Sequence, residues 1–110
     1  MTTLNNFTCC RVNHFNTAIG LDEAYPEAYN NRGLAYGSLG QHELAVRDFD
    51  EAIRLDPDDP DAYSNRAVAY GVLGLSQQAM EDYGEAIRRD PEHLTSYINR
   101  GLAFGNMGES

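Results

Sequence analysis

The most informative part of the chain reads PEAYNNRGLAYGSLGQHELAVRDFDEAIRLDPDD at residues 26–59 and PDAYSNRAVAYGVLGLSQQAMEDYGEAIRRDPEH at residues 60–93. A residue-by-residue count finds the same amino acid at 18 of the 34 aligned positions. Periods of this length are typical of stacked supersecondary units. The first half of a unit recurs from Leu94 (LTSYINRGLAFGNMGES), and the second half occurs earlier, from His14 (HFNTAIGLDEAY). The chain therefore contains two whole units and two half units.

These units define the expected domain organisation of the 110-residue chain. An irregular N-terminal segment is predicted at residues 1–11. A single repeat domain, residues 12–110, follows it. Its half unit, two whole units and second half unit are predicted at residues 12–25, 26–59, 60–93 and 94–110.

Two helical patterns are present in each whole unit, where apolar and small residues recur at helical spacing. Gly40 and Gly74 follow the first pattern and suit the left-handed conformation that ends many helices. Proline disfavours helical geometry in the residue before it, so Asp56-Pro57 and Asp90-Pro91 should end the second helices. The short connections predict antiparallel neighbours. Six helices are expected, at about residues 12–21, 26–39, 42–55, 60–73, 76–89 and 94–107.

The motif residues of the two whole units resemble the tetratricopeptide repeat. They are Tyr29, Gly33, Tyr36, Ala45, Phe49 and Pro57, then Tyr63, Ala67, Tyr70, Ala79, Tyr83 and Pro91. The resemblance implies an all-α fold, a right-handed α-solenoid of antiparallel helix pairs. It also implies a non-enzymatic protein-protein interaction scaffold that binds a peptide or protein segment in its concave groove. Two departures recur: Tyr replaces the family's Trp, and Arg replaces its Leu.

The resemblance places the groove mainly on the first helix of each unit. The residues that it assigns to the peptide-binding groove are Glu27, Asn30, Asn31, Leu34, Gly37, Asp61, Ser64, Asn65, Val68, Gly71, Asn99 and Leu102. The recurring Asn31, Asn65 and Asn99 have amides that can pair with a peptide backbone, or can cap and bridge helices instead. The recurring Gly37 and Gly71 admit a ligand backbone or, in the favoured interpretation, allow tight helix contact.

One subclass of the resembling family binds the C-terminal carboxylate of chaperones through Lys, Asn and Arg. The corresponding positions here are Asn30, Leu34, Asn65, Thr95 and Asn99. Only Asn65 agrees, and every cationic member is missing, so chaperone tails are disfavoured. Because Glu27 and Asp61 are acidic, the expected partner is neutral or basic rather than acidic.

A recurring arginine, at positions 32, 66 and 100, replaces an apolar residue at a packed position. A buried guanidinium needs a carboxylate or carbonyl partner. The candidates recur in the second helices: Asp48 and Asp82, or Glu51 and Glu85. We therefore predict a structural ladder of Arg–carboxylate pairs rather than a ligand site.

Composition restricts the possible functions further. The formal net charge of −9 repels phosphate backbones and disfavours nucleic acid as a partner. All eight basic residues are Arg, so Schiff-base chemistry on Lys is excluded. His14, His42 and His93 lie in different units without metal-ligand spacing, and we expect surface histidines, no cofactor, no metal site and no catalytic site.

We expect no targeting signal at the N-terminus. Residues 1–10 lack the basic start and apolar middle of a signal peptide, and no apolar run has the length of a membrane helix. The only cysteines, Cys9 and Cys10, are adjacent and cannot cross-link distant parts of the fold. A cytoplasmic protein with no membrane partner is expected.

The two half units predict an alternative function. Each would leave an apolar helix face in water, which favours association. The residues expected to mediate self-association are Phe15, Ile19, Tyr97, Leu102 and Phe104. The alternative is thus a self-assembling structural element in which unmatched terminal half repeats pair between chains. A fragment of a longer repeat array explains the half units equally well.

Overall fold

The computed structural model describes the backbone of residues 3–21 and 25–108, and the side chains of residues 12–21 and 25–103. Over this backbone the chain forms six α-helices and no strand. The helices are α1 (Thr3–Leu21), α2 (Pro26–Ser38), α3 (His42–Leu55), α4 (Pro60–Val72), α5 (Ser76–Arg89) and α6 (Leu94–Gly108). The all-α prediction is confirmed. None of the described helices is both long and apolar enough to cross a bilayer.

Helix α1 corrects one sequence prediction. It begins at Thr3, so the segment predicted to be irregular, residues 1–11, is helical from its third residue. The similarity to the repeat begins only near Val12, which is why the helix was expected to start there. No Gly or Pro occurs between Thr3 and Ile19, and a nucleated helix gains one hydrogen bond per added residue until a breaker intervenes. Absence of repeat similarity is therefore no signal for the end of a helix.

The contacts divide the chain into two compact units, Met1–Pro57 and Asp58–Ser110, called unit 1 and unit 2 below. In unit 1, α2 packs against both α1 and α3. In unit 2, α4 packs against α5, and α6 contacts both of them. Each unit thus has a central pair of helices joined by a short connection, with a third helix beside the pair.

The first helix of each pair ends at a glycine. Gly40 and Gly74 both have φ of 81°, the left-handed conformation that costs other residues steric energy. After each glycine the chain closes a Schellman motif: the backbone N–H of Gln41 donates to the carbonyl of Tyr36 at 2.9 Å, and that of Leu75 to Tyr70 at 2.8 Å. The predicted role of the two glycines is confirmed.

Proline and aspartate set the other boundaries. Helix α3 ends directly before Asp56-Pro57, and α5 directly before Asp90-Pro91, as predicted. Pro60 is the first residue of α4, where its missing N–H costs nothing. The Asp59 side chain accepts a hydrogen bond from the Asp61 backbone N–H at 3.0 Å and caps the same helix.

The second helix of each pair buries one stripe of side chains. In α3 and α5 the stripe has the same spacing of three, four and seven residues, which brings its members onto one helix face. The stripes are Ala45, Asp48, Phe49 and Ala52, and Ala79, Asp82, Tyr83 and Ala86. The aromatic ring of each stripe lies against a small residue of the preceding helix: Phe49 against Gly33 in unit 1, and Tyr83 in the cluster with Ala67 in unit 2.

Gly33 leaves the space that the Phe49 ring fills. A Cβ placed on Gly33 would lie 2.6 Å from the nearest ring carbon, well inside van der Waals contact. Phe49 is buried, so the ring has little room to withdraw. In contrast, a Cβ on Gly37, one turn later in the same helix, would meet no atom within 4 Å.

This difference gives a matched pair of substitutions in α2. We expect Gly33→Val to lower the free energy of unfolding by about 1–3 kcal/mol, because it overpacks the contact with Phe49. The control, Gly37→Val, should change it by less than about 0.5 kcal/mol, because its side chain points into open space. Urea unfolding followed by circular dichroism measures both. Equal stability of the two variants would contradict the packing described here.

Candidate functional site

Unit 2 has an open cleft of about 360 Å³ between α4, α5 and α6, called the unit 2 cleft. Its lining residues are Val68, Gly71, Val72, Ser76, Ala79, Tyr83, Asn99, Leu102 and Ala103. None of them is acidic or basic, and most of the lining is apolar. Four of them (Val68, Gly71, Asn99 and Leu102) were predicted from the sequence to lie in a binding groove, and the structure brings them together.

A second and smaller cleft, of about 180 Å³, lies in unit 1 between α1 and α2 and is called the unit 1 cleft. Phe15 of α1 forms one wall. The residues from α2 are Asn31, Leu34, Ala35 and Ser38. Asn31 and Leu34 were predicted groove residues, and they correspond through the 34-residue period to Asn65 and Val68 of unit 2.

The remaining predicted groove residues lie outside the two clefts. Glu27 and Asp61 are exposed, near the starts of α2 and α4, and Asn30 and Asn65 are half-buried. Ser64 is buried, which corrects its assignment to a binding surface, because a covered hydroxyl is not available to a ligand.

Gly37 and Gly71 do not provide tight helix contacts. A Cβ on either residue would meet no atom within 4 Å in the part of the chain that the structure describes. The favoured interpretation of these glycines, close packing, is therefore wrong at both positions. Gly71 lines the unit 2 cleft, where the missing side chain deepens the cleft floor.

Sequence reasoning missed the contribution of α5 to the unit 2 cleft. Ser76, Ala79 and Tyr83 line it, although the groove was expected mainly on the first helices and no residue of α5 was assigned to it. Tyr83 is buried, and burial raises the pKa of its phenol above the usual value, so the ring meets the cleft as a neutral group. The spacing of Ala79 and Tyr83 in the sequence places both on the buried stripe of α5. The edge of such a stripe is exposed wherever the neighbouring helix leaves a gap, and this spacing was the available signal for their place in the cleft.

Two arginine–aspartate pairs hold the helix pairs together. In unit 1, the Arg32 Nε donates to Asp48 Oδ2 at 2.8 Å and its Nη2 donates to Asp48 Oδ1 at 2.6 Å. In unit 2, the same two nitrogens of Arg66 donate to the two oxygens of Asp82 at 2.7 and 2.8 Å. The side chains of both aspartates are only 7% exposed. The predicted Arg–carboxylate pairs are confirmed at these two positions, with Asp as the partner.

Aromatic rings and a third helix complete the surroundings of Arg32. Its guanidinium lies over the rings of Tyr29 and Tyr36, at 5.6 and 5.7 Å from their centroids. Its Nη1 donates to Asn16 Oδ1 of α1 at 2.7 Å, so one side chain links all three helices of unit 1. The hydrogen bonds to Asp48 raise the pKa of Arg32 further above its already high value, although burial opposes this.

The alternative prediction, in which Glu51 and Glu85 pair with the recurring arginines, is wrong, because both glutamates form ion pairs within their own helices. Glu51 accepts hydrogen bonds from Arg54, which lower the pKa of Glu51. Glu85 accepts from Arg88 and Arg89, which lower its pKa in the same way. Such surface pairs contribute little to stability.

Arg100, the third arginine of the series, has a different environment. Its guanidinium lies 5.5 Å from the centroid of the Tyr97 ring. Among the described side chains, no carboxylate pairs with it. The predicted ladder therefore has two pairs, one in each unit, and Arg100 stands outside it.

His93 is not a surface histidine, which corrects the sequence prediction. Its Nε2 lies 2.6 Å from Asp61 Oδ1, and its Nδ1 lies 2.7 Å from the hydroxyl of Ser96. Because a carboxylate only accepts hydrogen bonds, Nε2 carries a proton and donates it. The Asp–His–Ser order resembles the constellation of nucleophilic hydrolases, but Ser96 is 0% exposed and no substrate carbonyl can reach it. The contact instead joins the residue preceding α6 to the first turn of α4.

The other two histidines line neither of the two clefts. His14 is exposed, and His42 is half-buried at the start of α3. No three His, Cys, Asp or Glu side chains of the described residues lie close enough together to hold a metal ion.

Four of the five residues predicted to mediate self-association can be placed. Phe15 and Ile19 are half-buried, and Tyr97 and Leu102 are exposed. The Phe104 side chain lies outside the described residues. Self-association through these residues stays a prediction.

A sequence profile described as "Tetratricopeptide repeat" matches the chain at residues 26–59 and again at residues 60–93. The two matches include both arginine–aspartate pairs and all the residues of α4 and α5 that line the unit 2 cleft. No curated protein matches the chain in a sequence comparison.

Solved structures with similar folds include three such domains. The Arabidopsis OM64 TPR domain is 26% identical with a TM-score of 0.83, over 86% of this chain and 78% of that chain. The Sgt2 TPR domain from Aspergillus fumigatus is 23% identical with a TM-score of 0.85, over 96% and 75%. The first TPR of Spaghetti (RPAP3), bound to the HSP90 peptide SRMEEVD, is 22% identical with a TM-score of 0.84, over 88% and 77%.

Removal of one buried arginine should cost much more stability than removal of an exposed one. We expect Arg66→Met to lower the free energy of unfolding by about 2–4 kcal/mol, because it leaves the buried Asp82 without its charged partner. Arg88→Met, which breaks the surface pair with Glu85, should cost less than about 0.5 kcal/mol. Chemical denaturation compares them. If Arg66→Met proved as mild as Arg88→Met, the buried pair would not be a main support of unit 2.

Burial of Ser96 predicts that it has no nucleophilic reactivity. We expect no covalent labelling of the folded chain by a fluorophosphonate probe, measured by intact-mass spectrometry against a serine hydrolase as positive control. A mass increase that disappears in Ser96→Ala would show that the Asp61–His93–Ser96 arrangement is catalytically competent.

Proposed function

Because the chain belongs to the tetratricopeptide repeat family, we propose that it is a protein-interaction scaffold that binds a peptide or protein segment, without chemistry of its own. The observation that supports this function best is the unit 2 cleft, an open, mostly apolar surface with one amide on its wall. Sites for drug-sized molecules usually enclose most of the ligand, whereas this cleft is open. An open cleft suits the side chains of an extended peptide or protein segment better.

The cleft offers two kinds of contact to such a ligand. Val68 and Leu102 are 44% and 65% exposed, so contact with an apolar ligand side chain would remove their surface from water. Asn99 presents both a donor and an acceptor, which suits the backbone of a peptide regardless of its sequence. An apolar anchor beside a backbone contact is a frequent mode of peptide recognition.

The unit 1 cleft repeats this combination on a smaller scale. Asn31 lies beside Leu34, which is 46% exposed, and Phe15 adds an aromatic wall. We propose that the unit 1 cleft is a second contact site for the same class of ligand.

The proposed ligand is neutral or basic. The peptide SRMEEVD bound by the domain of Spaghetti (RPAP3) contains three acidic residues. The unit 2 cleft of this chain has no cation to pair with such a peptide, and Glu27 and Asp61 add exposed negative charge on their own units. Like charges disfavour an acidic ligand, and net charge of −9 extends the effect to long range.

A peptide selection tests the proposal. We expect twelve-residue phage-displayed peptides selected on the chain to be neutral or basic with an apolar anchor, and to lose at least tenfold in affinity with Leu102→Glu, because a carboxylate in an apolar cleft is poorly solvated. Leu94→Glu, at a residue of α6 outside the cleft, should bind normally. Fluorescence anisotropy with synthetic copies of the selected peptides measures the dissociation constants.

The amides are tested in the same assay. Asn99→Ala should weaken binding by about threefold to tenfold, as expected for the loss of a neutral hydrogen bond. Asn65→Ala distinguishes ligand capture from a structural role. Loss of an amide with a structural role should lower the free energy of unfolding without changing the affinity for the peptide. Equal affinity of the chain and its Leu102→Glu variant, or tighter binding of SRMEEVD than of any selected peptide, would contradict the proposal.

A further inference from the structure

Ser96, His93 and Asp61 form a hydrogen-bonded chain, called the polar relay below, that is absent from the preceding repeat junction. The 34-residue period places Asp59 and Ala62 at the positions of His93 and Ser96. Asp59 caps its own helix, and the side chain of Ala62 is a buried methyl group that needs no polar partner. The polar relay is therefore an addition to the packing that the repeat provides.

The hydroxyl of Ser96 needs a partner because it replaces a buried methyl group. Ser96 is closed to solvent, and a buried hydroxyl without a hydrogen bond costs free energy. Its Oγ lies 2.7 Å from His93 Nδ1, which is the acceptor in the neutral imidazole because Nε2 carries the proton. Nε2 donates to Asp61 Oδ1 at 2.6 Å. Each donor of the polar relay thus has an acceptor.

The polar relay joins the first turns of α4 and α6. Asp61 is the second residue of α4, and Ser96 is the third residue of α6. The side chain of His93, which connects them, is only 13% exposed, although that of Asp61 is 66% exposed. The imidazole is therefore enclosed between the beginnings of the two helices.

The unit 2 cleft lies further along the same sides of α4 and α6. Val68 follows Asp61 by seven residues, about two helical turns, which returns it to nearly the same side of α4. Ala103 follows Ser96 by the same interval in α6. Both Val68 and Ala103 line the unit 2 cleft. The two helices thus share one seam, with the polar relay at its beginning and the cleft further along.

Helix α6 has an apolar contact beside the cleft in addition to the polar relay. Ala103 packs against the cluster of Ala67, Ala79 and Tyr83. One contact alone would leave a helix able to pivot about it, whereas two contacts at different heights set its direction. The direction of α6 sets the distance between the α6 wall of the cleft and the α4 wall.

We propose that His93 and Ser96 are positioning residues of the unit 2 cleft: the polar relay fixes the width of the cleft and thereby its affinity for a peptide. Neither residue is among those that line the cleft, so both act through the placement of α6. The effect on affinity rests on the proposed function, whereas the effect on the width does not. A binding surface that is already in place raises affinity, because less ordering remains when the ligand binds.

A role limited to the start of α6 is the alternative. The His93 carbonyl accepts hydrogen bonds from the backbone N–H groups of Ser96 and Tyr97, at 3.1 and 3.4 Å. These main-chain bonds do not require an imidazole at position 93. The side chain makes a different kind of contact, because it connects α6 to Asp61 of another helix. This connection is the part that the experiment must isolate.

Two substitutions of Asp61 separate its hydrogen bond from its charge. Asp61→Asn keeps an oxygen that can accept from His93 Nε2, whereas Asp61→Ala removes it. Both substitutions remove the same negative charge from the first turn of α4, so a long-range effect of that charge on a ligand is equal in the two. A third variant, Ser96→Ala, introduces the residue that the repeat has at Ala62 and interrupts the polar relay at its other end. Circular dichroism verifies that the three variants fold.

Spin labels report the placement of α6 without a ligand. The labels are attached to cysteines in Gln78→Cys of α5 and Ile98→Cys of α6, since both residues are exposed and line neither cleft. The native cysteines are removed by Cys9→Ser and Cys10→Ser. Because α5 is held to α4 by a buried ion pair, the distance between the labels follows the movement of α6.

Double electron–electron resonance measures the distribution of this distance. We expect Asp61→Ala and Ser96→Ala to shift or broaden the distribution, because each interrupts the polar relay. Asp61→Asn should leave the distribution as it is in the parent chain. Restoration by the conservative variant is a result that a charge effect alone does not produce.

Affinity tests the consequence for binding. Peptides selected on the parent chain should bind Asp61→Ala about twofold to thirtyfold more weakly than Asp61→Asn, the range for residues that act on a site without contacting its ligand. Ser96→Ala should resemble Asp61→Ala. Fluorescence anisotropy measures the dissociation constants.

The outcomes separate this proposal from the proposed function. Identical distance distributions in Asp61→Asn and Asp61→Ala would overturn the role of the polar relay. Different distributions with equal affinities would overturn it as well, because α6 would then be placed without effect on binding. Failure to select any peptide on the parent chain would contradict the proposed function instead, and the label distances would still confirm or overturn the control of the cleft width.

Discussion

The helix pair of each unit depends on a two-pronged contact between an arginine and a buried aspartate. Arg32 and Asp48, like Arg66 and Asp82, share two hydrogen bonds across the helix–helix interface. The planar fork of a guanidinium accepts a carboxylate in only a few orientations, so this contact sets how far one helix slides along the other. A pair of this kind adds specificity more readily than net stability, because both charges lose water on burial. The neighbouring ring then packs where only a small residue leaves room.

The contacts that hold a helix pair together and the surface that lines a cleft lie on different sides of α4. One side of α4 carries Arg66 and Ala67 and is covered by α5. Another side carries Val68 and Gly71 and remains open in the unit 2 cleft. The 34-residue repeat preserves the covered side almost unchanged, whereas Leu34 and Val68 differ between the units. A ligand preference can vary on the open side without disturbing the pairing of the helices.

The sequence predicted those features that follow from local chemistry. Gly40 and Gly74 marked helix ends because few residues tolerate a positive φ, and the arginines required carboxylates because a covered charge must be paired. It did not decide between Asp48 and Glu51, since both lie in the same helix and only packing shows which one turns inward. The contact of His93 with Asp61 joins residues 32 positions apart, which periodicity along one helix does not reveal.

The contact between His93 and Asp61 also shows that a catalytic arrangement of side chains cannot be judged without the solvent exposure of its nucleophile. His93 lies within hydrogen-bonding distance of both Asp61 and Ser96, but Ser96 is closed to solvent. What the contact does is mechanical: it fixes the beginning of α6 against the first turn of α4. Since Asn99 and Leu102 lie one and two turns further along α6, the position of the cleft wall depends on this tie. Asp61 thus has two roles in unit 2. Its carboxylate adds negative charge to the surface, and its contact with His93 supports the shape of the unit 2 cleft.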